Sequence, residues 1–77
     1  MINIYSTPSC PYCHMVKDYL KSKNIEFNDY NVAEDQAKAQ EMVQKSGQIG
    51  VPQIEINGKI IVGFDKEALE DELKKIN

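Results

Sequence analysis

The sequence reads as an α/β fold with a mixed sheet and helices on both of its faces, in the order βαβαββα. Three features carry this. A β-branched and aromatic run, Ile2, Ile4 and Tyr5, stops at Ser6-Thr7-Pro8 and passes at once into a segment of helical periodicity. A helix therefore separates the first two strands, which makes that pair parallel with a right-handed crossover. Further on, Asn57-Gly58 stands between two apolar runs, the strongest short signal for an antiparallel hairpin.

The elements follow in order. From Pro11 to about Asn24, Tyr12, Cys13, Val16, Tyr19 and Leu20 share one side at helical spacing, while Lys17, Lys21 and Lys23 gather toward the C-terminal end, where cations suit the helix dipole. In "NIEFNDYNV", residues 24 to 32, Ile25 and Phe27 fall in one alternation and Tyr30 and Val32 in the other. That phase shift predicts a strand with a bulge, or one buried on both faces. Residues 33 to 47 are rich in Ala, Glu, Gln and Lys and open with acids, predicting a second helix that Gly47 ends, with Met42 and Val43 turned inward. Ile54 and Ile56 before the Asn-Gly turn, and Ile60 and Val62 after it, alternate as an antiparallel pair. Asp65 then caps a last helix with Leu69, Leu73 and Ile76 in one stripe, acids early and Lys74 and Lys75 last.

A chain of 77 residues is near the lower limit for burying a self-sufficient core, and no composition break marks a linker, so a single domain over 1–77 is expected. With 42% apolar and 27% charged residues the composition is that of an ordinary globular protein. All nine cations are lysines, dispersed in a chain of net charge −3, which speaks against a nucleic-acid surface. The opening residues lack a charged start and a long apolar run, so a cytoplasmic protein without a membrane segment is expected.

The chemistry concentrates in "STPSCPYCHM", residues 6 to 15, which holds both cysteines and the single histidine. Cysteines three apart close too short a loop to constrain an unfolded chain, so the pair is chemical, and a reducing compartment keeps it a cycling dithiol. Cys10 falls at the strand-to-helix junction, with Pro11 at the first helical position, where a missing N–H costs nothing. A sulfur at that N-cap faces unpaired N–H groups and the positive end of the dipole, which favour thiolate; Cys10 is the expected nucleophile. Cys13, one turn deeper on the same face, is the expected resolving thiol.

Cys-x-x-Cys-His also matches a c-type haem attachment site, with Met15 or Met42 to complete the ligation. Three strand signals and the absence of an export signal argue against it. Zinc needs at least three protein ligands, and His14 points elsewhere on the helix, so no metal site is expected. His14 reads as a solvated helix residue.

With "CPYC" in a strand-to-helix turn, "VP" before the third strand and "GFD" before the last helix, the chain resembles a glutaredoxin over essentially its whole length. The resemblance implies a thioredoxin fold, a mixed four-stranded sheet flanked by three helices. It implies that Pro52 is cis and faces the cysteines, leaving the Val51 backbone to pair with a bound peptide or glutathione. It also implies that Gly63, Phe64 and Asp65 hold the γ-glutamyl end of glutathione, and that Tyr12 flanks the glutathione cysteine. Glutathione is the implied co-substrate with no tightly bound cofactor, disulfide-containing proteins are the implied partners, and the chain is expected to be a monomer.

Two departures qualify the likeness. Where glutaredoxins commonly carry a cation three residues before the nucleophile and another in the second helix, this chain has Thr7 and Ala39, leaving Lys38 or Lys45 as point charges. "GFDK" is similar to the corresponding segment of glutaredoxin-like donors to ribonucleotide reductase, which implies a flavin-dependent disulfide reductase as an alternative electron source. A carrier of an iron–sulfur cluster shared between two chains is the remaining alternative.

Overall fold

The structure, a computed structural model, describes the backbone of residues 2–76 and side chains through residue 75. Its elements are β1 (Asn3–Ser6), α1 (Pro11–Ser22), β2 (Asn28–Asn31), α2 (Gln36–Ser46), β3 (Gln53–Ile56), β4 (Lys59–Val62) and α3 (Lys66–Ile76), the expected order. The four strands form one sheet in the order β2-β1-β3-β4. β1 runs parallel to β2 and antiparallel to β3, and β3 and β4 form the hairpin. This is the thioredoxin fold.

Each face of the sheet has its own helices. Ile2, Ile4, Ile54, Ile56 and Ile61 form one cluster with Val16 and Leu20 of α1 and Leu69 and Leu73 of α3. The Ile76 side chain, expected in the same stripe, lies outside the described residues. On the opposite face α2 meets the sheet through polar atoms: Tyr5 Oη donates to Glu41 at 2.7 Å, and Lys45 Nζ donates to Glu55 at 2.9 Å.

Two expectations about the strands are corrected. β2 is a four-residue edge strand in unbroken register with β1, neither bulged nor buried on both faces. Ile25 and Phe27 precede it, half-buried against the α1/α3 cluster from a connecting segment, so their alternation is that of a crossover end and not of a strand. In the hairpin, a two-residue turn pairs Ile54 with Ile61 and Ile56 with Lys59, so Ile60 and Val62 lie on the other face from Ile54. The turn itself is as expected, with Asn57 at φ 53° and Gly58 at φ 77°, both in the left-handed region that Asn-Gly tolerates.

α2 ends at Gly47 as expected, and α1 ends at Ser22, two residues short of the expected Asn24. Gly47 takes φ 72° and donates its N–H to Val43 O at 2.7 Å, a left-handed cap for α2. Asp35 and Asp65 each accept from a backbone N–H three residues on, Lys38 at 3.1 Å and Ala68 at 3.2 Å. Met42 is buried as expected, whereas Val43 is exposed.

Candidate active site

Cys10 sits where β1 has ended and α1 begins. Its backbone is extended, at φ −89° and ψ 112°, and Pro11 opens the helix, so Cys10 is the N-cap. The Cys13 N–H donates to Cys10 Sγ at 3.3 Å, the sulfur taking the place of the oxygen of a usual cap. Both cysteines are free thiols; Cys10 is half-buried and Cys13 fully buried. Burial first, and then the hydrogen bond with Cys10, pushes the Cys13 thiol up from 9.0 to about 11. At neutral pH the Cys13 thiol therefore keeps its proton.

The turn leading into Cys10 is braced by three hydrogen bonds. Cys10 N–H donates to Thr7 O at 3.3 Å and His14 N–H to Cys10 O at 3.3 Å. The third comes from the His14 ring, whose Nε2 donates to Pro8 O at 2.8 Å. His14 is exposed as expected, but it is tied to the turn.

The Val51–Pro52 peptide is cis. Val51 O lies 3.8 Å from Cys10 Sγ, and this contact brings the β3 entry to Cys10. Pro52 is buried, and its carbonyl accepts from Gly63 N–H at 2.8 Å, joining the end of β4 to the same corner. Phe64 follows with its ring packed toward the core, 6.0 Å from the Tyr19 ring between centroids. Asp65 is exposed at the start of α3.

Tyr12 is 60% exposed, so it does not share the inward stripe of Cys13, Val16 and Leu20. Its position in the first helical turn turns it outward beside Cys10.

Gln53, the first residue of β3, is fully buried on the α2 face, and its Nε2 donates to Gln48 O at 3.0 Å and Gly50 O at 2.8 Å. In the sequence it looks like a solvent-facing polar position of an alternating strand. The covering α2 makes it interior.

Three lysines are held by carboxylates. Lys17 pairs with Asp29 at 3.1 Å, Lys38 with Glu41 at 3.3 Å, and Lys45 with Glu55 at 2.9 Å. Among the described residues, no group of three or more His, Cys, Asp and Glu side chains comes together in a way that could hold a metal ion.

A protein-family model described as Glutaredoxin matches residues 2–61. The chain belongs to the glutaredoxin family. It is 55% identical, over 97% of its own length and all of the relative's, to an uncharacterized glutaredoxin-like 8.6 kDa protein in the rubredoxin operon of Clostridium pasteurianum. It is 41% identical to glutaredoxin 3 of Escherichia coli strain K12, over 83% of this chain and 77% of that one. Among solved structures, the thioredoxin-like protein BC3987 superposes with a TM-score of 0.87 at 30% identity, over 92% of this chain and 97% of that one. Glutaredoxins are thiol–disulfide oxidoreductases, and membership supports that role here. No helix among the described residues is long and apolar enough to cross a membrane.

Proposed function

We propose that this glutaredoxin reduces protein disulfides or glutathione mixed disulfides, with Cys10 as nucleophile and Cys13 as resolving thiol. One observation carries the assignment: Cys10 Sγ is the N-cap acceptor of α1, while Cys13, one turn on, is buried and held protonated. The two sulfurs are thereby differentiated, one at the helix mouth and one in reserve.

The Cys10 thiolate attacks one sulfur of the substrate disulfide. A new S–S bond forms to Cys10, and the other substrate sulfur leaves as a thiolate that takes up a proton. Cys13 then loses its proton and attacks Cys10 Sγ, the mixed disulfide breaks, and the second substrate thiol departs. Two electrons have passed to substrate, leaving a Cys10–Cys13 disulfide. Two glutathione thiols, or a flavin-dependent disulfide reductase, restore the dithiol.

The substrate lies along the Val51 backbone in this reading, paired as an added strand beside Pro52. Tyr12 flanks the substrate cysteine, and Gly63, Phe64 and Asp65, at the start of α3, receive the γ-glutamyl end of glutathione. The chain acts as a cytoplasmic monomer of one domain, 1–77, without a tightly bound cofactor.

A second reading, in which a flavin-dependent disulfide reductase supplies the electrons, is favoured by the lysines. Lys38 and Lys45, the point charges available for a glycyl carboxylate, are already engaged with Glu41 and Glu55. Steady-state NADPH oxidation separates the two, coupled in one assay through glutathione and glutathione reductase and in the other through thioredoxin reductase. Activity in the second assay alone removes glutathione as the electron source. In either assay Cys10→Ser is expected to lower turnover by at least about a thousandfold, as loss of an essential nucleophile does; retained activity overturns the assignment. Visible absorbance of protein isolated without oxygen would support the cluster-carrier alternative.

A further inference from the structure

The segment between α2 and β3 carries the edge assigned to substrate, yet it has no regular structure of its own. Gln48, Ile49 and Gly50 are exposed, and Val51 and Pro52 follow directly. What holds the segment is Gln53. Its side chain comes up from the buried face of β3, between Tyr5 and Val62 in the sheet register, and gives Nε2 hydrogen bonds to the carbonyls of both Gln48 and Gly50. Ser46 Oγ adds a lateral tie, accepting from Gln48 N–H at 3.1 Å.

The pattern suits a primary amide and little else of that size. One nitrogen supplies two hydrogens to two acceptors, without the charge that would make burial costly for lysine. The opposite end of the amide does nothing comparable: Gln53 Oε1 is buried with no hydrogen-bond partner among the described residues.

We propose that Gln53 is a positioning residue for substrate, fixing the height of the Val51 edge over Cys10 by pinning the carbonyls on its N-terminal side. This rests on the assignment of Cys10 and Val51 made above, and it names a determinant of substrate affinity that lies outside the redox pair. Gln53 makes no contact with Cys10 itself and reaches it through the Val51 segment, so its expected effect is on substrate binding.

The test uses pre-reduced protein and an excess of a short peptide containing an internal cystine bridge, with oxidation of the dithiol followed over a single turnover. Gln53→Met keeps the volume, removes both donors and also removes the stranded oxygen, while the freed carbonyls lie on exposed residues where water reaches them. The half-saturating peptide concentration is expected to rise about five- to twentyfold, the scale of one to two lost hydrogen bonds, with the limiting rate within about twofold of the parent. The rate of Cys10 alkylation by iodoacetamide is expected to stay unchanged.

Gln53→Glu supplies the second arm. An ionised carboxylate offers no donor and repels both carbonyls, whereas the protonated acid regains one donor. This variant should therefore match Gln53→Met at pH 8 and move back toward the parent near pH 5.5, each compared with the parent at the same pH. Burial raises the introduced carboxyl into that interval. Tyr5, Tyr30, Lys38, Glu41, Lys45 and Glu55, titratable groups on this face, are common to parent and variants.

An unchanged half-saturation in Gln53→Met overturns the inference. So does a parallel fall in limiting rate and alkylation rate, which would place Gln53 behind the nucleophile. If the parent protein itself fails to oxidise with the peptide, or if Cys10→Ser oxidises as fast, the assignment of the redox pair has failed. The two failures are thus distinct.

Discussion

The two faces of the sheet are covered by opposite means. Toward α1 and α3 lies a row of aliphatics, Ile4, Ile54 and Ile61, in direct cross-strand register. Toward α2, the row Asn28–Asn3–Glu55 is linked by side-chain hydrogen bonds of 2.9 and 2.8 Å, and Lys45 closes on Glu55. Tyr5, at 0% exposure, belongs to the same face and hands its hydroxyl to Glu41. An aliphatic face gains stability from area removed from water and is indifferent to register detail. A polar face gains little net stability per contact but is satisfied in only one arrangement, so it fixes where α2 sits. The segment proposed to receive substrate hangs from the end of α2 and is anchored to Gln53 on that second face. The aliphatic face maintains the fold, and the polar face sets the geometry of one side of the site.

That division can be broken by equal cuts on the two sides. Leu20→Ala, which empties a fully buried position on the aliphatic face, should cost about 2–5 kcal/mol in urea denaturation. Tyr5→Phe deletes only a hydroxyl on the other face and leaves a half-exposed Glu41 that water can solvate, so about 1 kcal/mol is expected. Equal losses would erase the distinction.

Acid sharpens it next. Hydrogen bonds from Tyr5 and then Lys38 hold the Glu41 carboxyl below its usual 4.5, and hydrogen bonds from Asn3 and Lys45 do the same for Glu55. Their stabilisation is present above the unfolded value and is lost as pH falls below about 4.5 through the lower folded values. Lys45→Met should remove at most about 1 kcal/mol near neutrality and flatten this acid limb, read as urea midpoints between pH 6 and 3. A limb of undiminished slope in Lys45→Met would place the acid sensitivity elsewhere, for instance at Glu72.

Alkali probes the aliphatic side. Cys13 ionises at 9.0 in an exposed chain and at about 11 in the fold. Since the unfolded state loses its proton first, stability falls as pH rises from 9 toward 11. Tyr5, Tyr19 and Lys45 tilt the same way, so the reduced protein is compared with Cys13→Ala: the parent should show the steeper decline. Parallel curves would mean that burial of the thiol is not felt in folding.

Much of this architecture is legible without coordinates, and the exceptions share a cause. Asn57-Gly58 specifies its turn because only a few residues accept left-handed backbone, and Cys10-Pro11 specifies a helix start because proline fits nowhere else in a helix so cheaply. Such local constraints survive in any context. Less legible are positions whose partner is remote: Ile60 and Val62, whose face depends on the count of turn residues, and Ile25 and Phe27, apolar because a crossover end lies on the core. Gln53 reads as solvent-facing because nothing local announces that α2 will cover it. At the site, the cysteine pair and the Val51–Pro52 corner are written in short motifs, while the commitment of Lys38 and Lys45 to carboxylates depends on packing between α2 and the sheet.

Cys13, Val16 and Leu20 are the three buried residues of α1, so the second thiol is also the first tooth of the core-facing ridge. Oxidation and unfolding therefore form a closed thermodynamic cycle through one side chain. Any difference in stability between the dithiol and disulfide forms must reappear as a displacement of the reduction potential from that of the same segment in an unfolded chain. At about 30 mV for every 1.4 kcal/mol in a two-electron couple, a pair of urea titrations, one on each redox form, acts as a voltmeter for this site.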